Sequence, residues 1–173
     1  RTVINHDFEP NDAFFIVLRK KTEETFVSLP EKKHTVLKDL DIKGLGCWTE
    51  NPETKYFSGT RSYRCTVDIP EHKGSLLLDI GEAYNLAQVF IDGHLVQTLW
   101  KAPFMADITD HVKGRKSIEV EIKVTNLWVN HLIGDARKAP SERESYVSFD
   151  FYDGTEPLQK SGLIGPVTLI EEQ

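Results

Sequence analysis

Between residues 126 and 137 the sequence gathers Asn126, Trp128, Asn130, His131, Asp135 and Arg137, its densest run of polar and aromatic side chains. Amide, imidazole, carboxylate and guanidinium groups exchange hydrogen bonds with hydroxyls, and an indole offers a flat apolar face to the C–H face of a sugar ring. That is the chemistry of carbohydrate recognition. Trp48 and Trp100 are the other two tryptophans and further candidate platforms. For all three the competing reading is core packing or an interdomain seam, because tryptophan is highly buried on average. For the polar members it is turn chemistry and, for Asp135 with Arg137, a local ion pair.

Other chemistries find less support. Hydrolysis of a glycosidic bond needs two carboxylates about 5 Å apart for retention or roughly 6.5–9.5 Å apart for inversion. Glu142 and Glu144 share a loop, but closeness in sequence is not that geometry, and charged loop residues are usually solvated. No catalytic residue is assigned. No serine elbow, phosphate loop or dinucleotide fingerprint occurs, and none of the six histidines stands in a HExxH pattern, so no transition-metal site is assigned. Asp150, Asp153 and Glu156 carry oxygen ligands for a structural calcium, without the spacing of an EF-hand. Cys47 and Cys65 are too few for a disulfide framework; Cys65 reads as a small buried hydrophobe, with a Cys47–Cys65 bridge as the alternative.

The elements that must position these groups read as strands. Ile118, Val120, Ile122 and Val124 alternate with Glu119, Glu121, Lys123 and Thr125, a period of two with one face for a core. Tyr63, Cys65, Val67 and Ile69 alternate in the same way until Pro70 stops the run. Residues 87–96 flank Asp92-Gly93, a pair suited to a type I′ hairpin turn. Further strands are expected at 13–19, 34–37, 76–80, 146–151 and 167–170. No segment sustains a 3.6-residue apolar period, so helices are expected only as single turns, one of them near Asp107–Asp110. The class is all-β: an antiparallel sandwich of two packed sheets. Residues 1–47 read as an N-terminal strand and linker arm, the end of a preceding domain, and 48–173 as the sandwich.

The 173 residues suit one large domain, and a composition of 39% hydrophobic and 28% charged residues is that of a folded chain. A net charge of -6 without a basic face argues against nucleic acid as a partner. No apolar run approaches the ~20 residues that cross a bilayer, so no membrane partner is expected.

From Tyr56 onward the order of motifs resembles the sugar-binding-type jelly roll of family-2 glycoside hydrolases, a galactose-binding-like fold. The motifs are Tyr56-Phe57-Ser58-Gly59-Thr60, Leu78-Asp79-Ile80-Gly81, Gln88-Val89-Phe90-Ile91-Asp92-Gly93 and Phe104-Met105-Ala106-Asp107. The phrase from Asn126 to Asp135, followed by Ser161-Gly162-Leu163-Ile164-Gly165-Pro166, is similar to the C-terminal domain of family-106 α-L-rhamnosidases. His131 departs from that pattern, where arginine is expected. The resemblance implies a non-catalytic accessory domain of a secreted or periplasmic, bacterial glycoside hydrolase. It would pack on the catalytic domain and touch glycan, an oligo- or polysaccharide, through Trp128, Asn130, His131, Asp135, Arg137, Trp100 and Trp48. The alternative is an autonomous carbohydrate-binding module. The catalytic carboxylates of such enzymes lie on a separate barrel for which this chain has no room.

Overall fold

The computed structural model describes Ala13, Phe15, Val17 and residues 32–173. Strand β8 (Ser117–Thr125) forms where the sequence alternation is cleanest, and it organises one sheet. On one side β2 (Thr60–Asp68) runs antiparallel to it, with Tyr63 opposite Ile122 and Val67 opposite Ile118. On the other side β5 (Leu86–Ile91) sets Val89 against the same Ile122. With period-two side chains this register puts every buried apolar residue of the three strands on one face. On the outer, polar face, which β2 leaves exposed, Glu121 is buried beneath the Arg64 guanidinium, 2.7 Å from its Oε1, and Lys123 Nζ sits 4.4 Å from the Phe90 ring centre.

The edge strand β6 (His94–Leu99) follows β5 through Asp92-Gly93, whose φ angles of 47° and 80° meet the demand of a type I′ turn for two positive values. Asp92 fixes the turn further by accepting the Glu119 N–H at 2.8 Å and pairing with Arg115.

The facing sheet has the order β1 (His34–Asp39), β10 (Thr168–Glu172), β3 (Ser75–Asp79), β7 (Met105–Asp107). Leu78 lies opposite Leu169 on one side and Ala106 on the other, and all three are fully buried. Each fully buried leucine contributes roughly 1.5–3 kcal/mol of apolar transfer. A two-stranded ladder, β4 (Glu82–Tyr84) with β9 (Gly162–Gly165), lies outside the two large sheets. The chain passes from one sheet to the other at most connections, β1 to β2 to β3, then β6 to β7 to β8, which is sandwich wiring rather than a meander.

The β-sandwich expected from the alternation is therefore present, with three differences. First, α2 (Val129–Ala136) is a two-turn helix, longer than the single turns expected; α1 (Thr109–Val112) is such a turn. Second, residues 146–151 form no strand, and Tyr146, Phe149 and Phe151 are exposed. Aromatic residues favour strands only where a neighbouring strand accepts them. Third, β1 lies within the stretch read as an arm, yet it pairs with β10 and leads into the buried Leu40 and Ile42. The strand expected at 13–19 falls outside the described residues except for Ala13, Phe15 and Val17. Cys47 and Cys65 are free thiols, and burial raises the Cys65 pKa.

Candidate functional site at the α2 groove

The polar cluster sits on the segment that leaves β8, and the structure divides it by role. Asn126 is a backbone clamp: its Nδ2 donates to Phe57 O at 2.8 Å and its Oδ1 accepts the Gly59 N–H at 2.9 Å. Asn130, 2% exposed, does the same to one residue, donating to Gln159 O at 2.7 Å and accepting Gln159 N–H at 2.8 Å. With both amide edges used on the protein's own backbone, Asn130 has nothing to offer a sugar. Its expected role as a ligand contact is corrected to a structural one.

Asp135 is likewise turned inward. Its carboxylate accepts the N–H groups of Glu144 at 3.0 Å and Ser145 at 2.7 Å, and Lys138 Nζ lies 3.0 Å from Oδ1. Burial pushes its pKa up, but the Lys138 ammonium and these donors outweigh burial and hold the carboxyl well below the usual aspartate range. Arg137 donates to Gly154 O at 3.0 Å; the partner of Asp135 is thus Lys138 rather than Arg137. Asp135 and Arg137 tie α2 to the 143–156 segment.

The tryptophans separate as sharply. Trp48 is 3% exposed, donates Nε1–H to the Tyr63 hydroxyl at 2.7 Å and packs so closely on Gly162 that a Cβ there would stand 2.6 Å from its ring. It is a core residue, and its expected role as a platform is corrected. Trp100 and Trp128 are 63% and 64% exposed. Trp128 holds an edge-on contact with His131, ring centres 6.1 Å apart.

Of the expected residues, His131, its side chain 24% exposed, lines a groove. The groove, about 790 Å³ of open space, lies between the 52–58 turn and α2, with Glu53, Tyr56, His131, Lys138 and Glu144 on its walls and Asp135 at its base. Gly134 lets the walls meet: the Tyr56 ring lies against the helix backbone, and a Cβ on Gly134 would stand 2.7 Å from Tyr56 Cγ. Lys55 Nζ lies 4.8 Å from the centre of the same ring. Glu53 and Lys138 carry no signal in the sequence, and Tyr56 enters there only within its resemblance motif, because nothing near 52–58 signals that it will face α2.

The residues weighed for calcium do not fit a cation. Asp153 accepts from Thr155, Glu156 accepts the N–H groups of Asp153 and Gly154, and Asp150 pairs with Arg143. Among the described residues no three metal-ligating side chains stand together. Glu144 Oε1 is bound by Lys138 at 2.7 Å, while Glu142 is exposed on a separate 3-10 turn, Pro140–Glu142.

No protein-family model matches the chain. Over 147 residues it is 37% identical to a Formosa agariphila protein described as a "Putative beta-glucuronidase", a match that spans 69% of this chain and 13% of that protein. Among solved structures, a rhamnosidase from Novosphingobium sp. PP1Y superposes with a TM-score of 0.72 and 31% identity, over 90% of this chain and 17% of that one. A β-D-glucuronidase from Dictyoglomus thermophilum, at 18% identity and a TM-score of 0.50, shares the fold over 83% of this chain and 28% of its own. The relatives are thus glycoside hydrolases, a rhamnosidase among them, as the order of motifs implied. The chain spans less than a fifth of the length of the first two.

Proposed function

We propose that this chain is a non-catalytic accessory domain of a secreted or periplasmic glycoside hydrolase, packing against a catalytic domain and touching glycan at the rim of that domain's cleft. The observation that carries this reading is coverage: nine tenths of the chain superposes on about a sixth of a rhamnosidase at 31% identity. A fold alone does not define an activity. Here, among the described residues, Asp135 and Asn130 are engaged with the protein's own backbone and Glu144 is paired with Lys138, which supports a scaffold. The exposed Phe149 and Phe151, ring centres 5.1 Å apart, form an aromatic surface of the kind that a neighbouring domain covers, and Tyr146, three residues before Phe149, is exposed as well.

The test is turnover. Incubated with aryl α-L-rhamnosides and aryl β-D-glucuronides, the isolated chain is expected to release no phenol, and measurable release proportional to protein overturns the accessory reading. The exposure of Trp128 favours a second reading, an autonomous carbohydrate-binding module that raises local substrate concentration. Titration separates the two. A module binds oligosaccharide tightly by itself, whereas a rim contact binds only weakly once removed from its neighbour.

A further inference from the structure

The α2 groove has a charge balance that selects among sugars, an inference that rests on the glycan contact proposed above. Its lining sets the carboxylates of Glu53, Asp135 and Glu144 against one ammonium, Lys138. That ammonium is already shared, 3.0 Å from Asp135 Oδ1 and 2.7 Å from Glu144 Oε1. Asp135 is saturated by its backbone donors, but the Glu144 side chain is 70% exposed and Glu53 is exposed as well. The groove therefore offers hydroxyl acceptors in excess, with the Lys138 ammonium and the His131 imidazole, 3.8 Å from Asp135 Oδ2, on its wall; the open indole of Trp128 stands against His131 without itself lining the groove.

We infer that the α2 groove is a binding site for neutral sugars, with Trp128 stacking on the apolar ring face and Glu144, Glu53 and Lys138 taking hydroxyls, and that it discriminates against uronates. A sugar hydroxyl donates to a carboxylate without bringing charge. A uronate carboxylate in the same place meets uncompensated negative charge, and like charges across a contact act against the wrong ligand. Trp100, equally exposed, lies just beyond β6, whereas Trp128 is held against the wall residue His131, so Trp100 takes no part.

The experiment follows the three indole N–H resonances of the isotopically labelled 173-residue chain during titration with rutinose, methyl β-D-glucoside and methyl β-D-glucuronide. The expected result is that both neutral sugars shift the Trp128 resonance and leave Trp100 unmoved, and that the glucuronide binds roughly fivefold or more weakly than the glucoside. Trp128→Ala should weaken rutinose binding about tenfold, Trp128→Phe should keep most of it, and Glu144→Gln should narrow the gap between glucoside and glucuronide. The buried Trp48 resonance reports in each variant that the fold is intact. Glucuronide binding as tight as glucoside, or rutinose binding unaffected by Trp128→Ala, overturns the inference. Neutral-sugar binding that moves Trp100 instead overturns the groove and leaves glycan contact standing. No shift with any of the three sugars overturns both. Turnover of aryl glycosides, measured separately, overturns the accessory reading and not the groove.

Discussion

The sandwich and the segment that caps it, residues 126–160, are held together by different forces. In the sandwich, two ladders join β8 to β2 and to β5 with their buried apolar residues in register, and Leu76, Leu78, Val89, Val120 and Ile122 are wholly enclosed. The cap buries little apolar surface beyond Ile133. It is tied by polar bonds between side chains and backbone: Asn126 to Phe57 and Gly59, Asn130 to Gln159, Asp135 to Glu144 and Ser145, Arg137 to Gly154. Apolar burial is non-directional and tolerates exchange among side chains of similar volume. A polar tie fails when one partner goes, because the other is left buried and unsatisfied. The sandwich should thus set global stability while the cap sets local order at the groove.

The largest effect should come from the sandwich. Leu78→Ala leaves a cavity between Leu169 and Ala106 and is expected to cost about 3 kcal/mol, read as a lowered midpoint in denaturant with an unchanged slope. An effect under about 1 kcal/mol would mean that the two sheets close over the gap. Asp135→Asn should cost about 2 kcal/mol, and chiefly in the cap. Hydrogen exchange should rise at Glu144 and Ser145 while the β8 amides stay protected. The pH dependence has a definite sign. The folded pKa of Asp135 is depressed, so its stabilisation is complete above the unfolded value near 4 and fades as the pH falls toward the folded one. Protection of the cap amides in the unaltered protein, corrected for the intrinsic pH dependence of exchange, should therefore fall as the pH drops below about 4, and Asp135→Asn should flatten that fall.

The same division explains what the sequence disclosed. Period-two alternation in β2 and β8 and the Asp92-Gly93 turn are local signals whose physics is complete within a few residues, so the strands could be placed from them. The helix α2 could not. Val129, Asn130, Gly134 and Asp135 are poor helix formers, and although Val129, Leu132, Ile133 and Ala136 follow a helical spacing, the repeat lasts only eight residues and is too short to stand out from a loop. Its order comes from partners up to some 80 residues away, Tyr56 on one side and Gln159 on the other. For the candidate site, the region was identifiable because aromatic and polar residues crowd there. Which members face outward was not, since an asparagine that clamps backbone and one that grips a sugar look alike in sequence. Trp48 and Trp128 make the same point: one indole is sealed by Tyr63 and Gly162, the other stands open beside His131.

A substitution at the junction of the two regions tests whether they are coupled. Gly134→Ala adds a methyl that would stand 2.7 Å from Tyr56 Cγ, so either the ring or the helix must shift. Alanine also favours a helix by up to about 1 kcal/mol over glycine, which offsets part of the overpacking cost of roughly 1–3 kcal/mol. The expected net is a loss of about 1 kcal/mol together with a widened groove. In a double-mutant cycle, Tyr56→Ala should remove the clash, so that Gly134→Ala in that background becomes neutral or stabilising. Additive losses would show that α2 does not rest on Tyr56.

The smallest effect should come from the second exposed tryptophan. Trp100 follows β6 at the edge of its sheet and is 63% exposed, so little of its surface leaves water on folding. Trp100→Ala should change global stability by less than about 0.5 kcal/mol in a thermal or denaturant melt, as surface substitutions generally do. Trp128→Ala should be as mild globally, since the side chain is 64% exposed, yet it should loosen His131, whose ring Trp128 meets edge-on at the groove wall. The two variants thus match in melting and differ in local exchange around residues 129–133. A loss above about 1 kcal/mol in Trp100→Ala would place that indole in the packing of the sandwich, and the division between an apolar scaffold and a polar cap would have to be redrawn at β6.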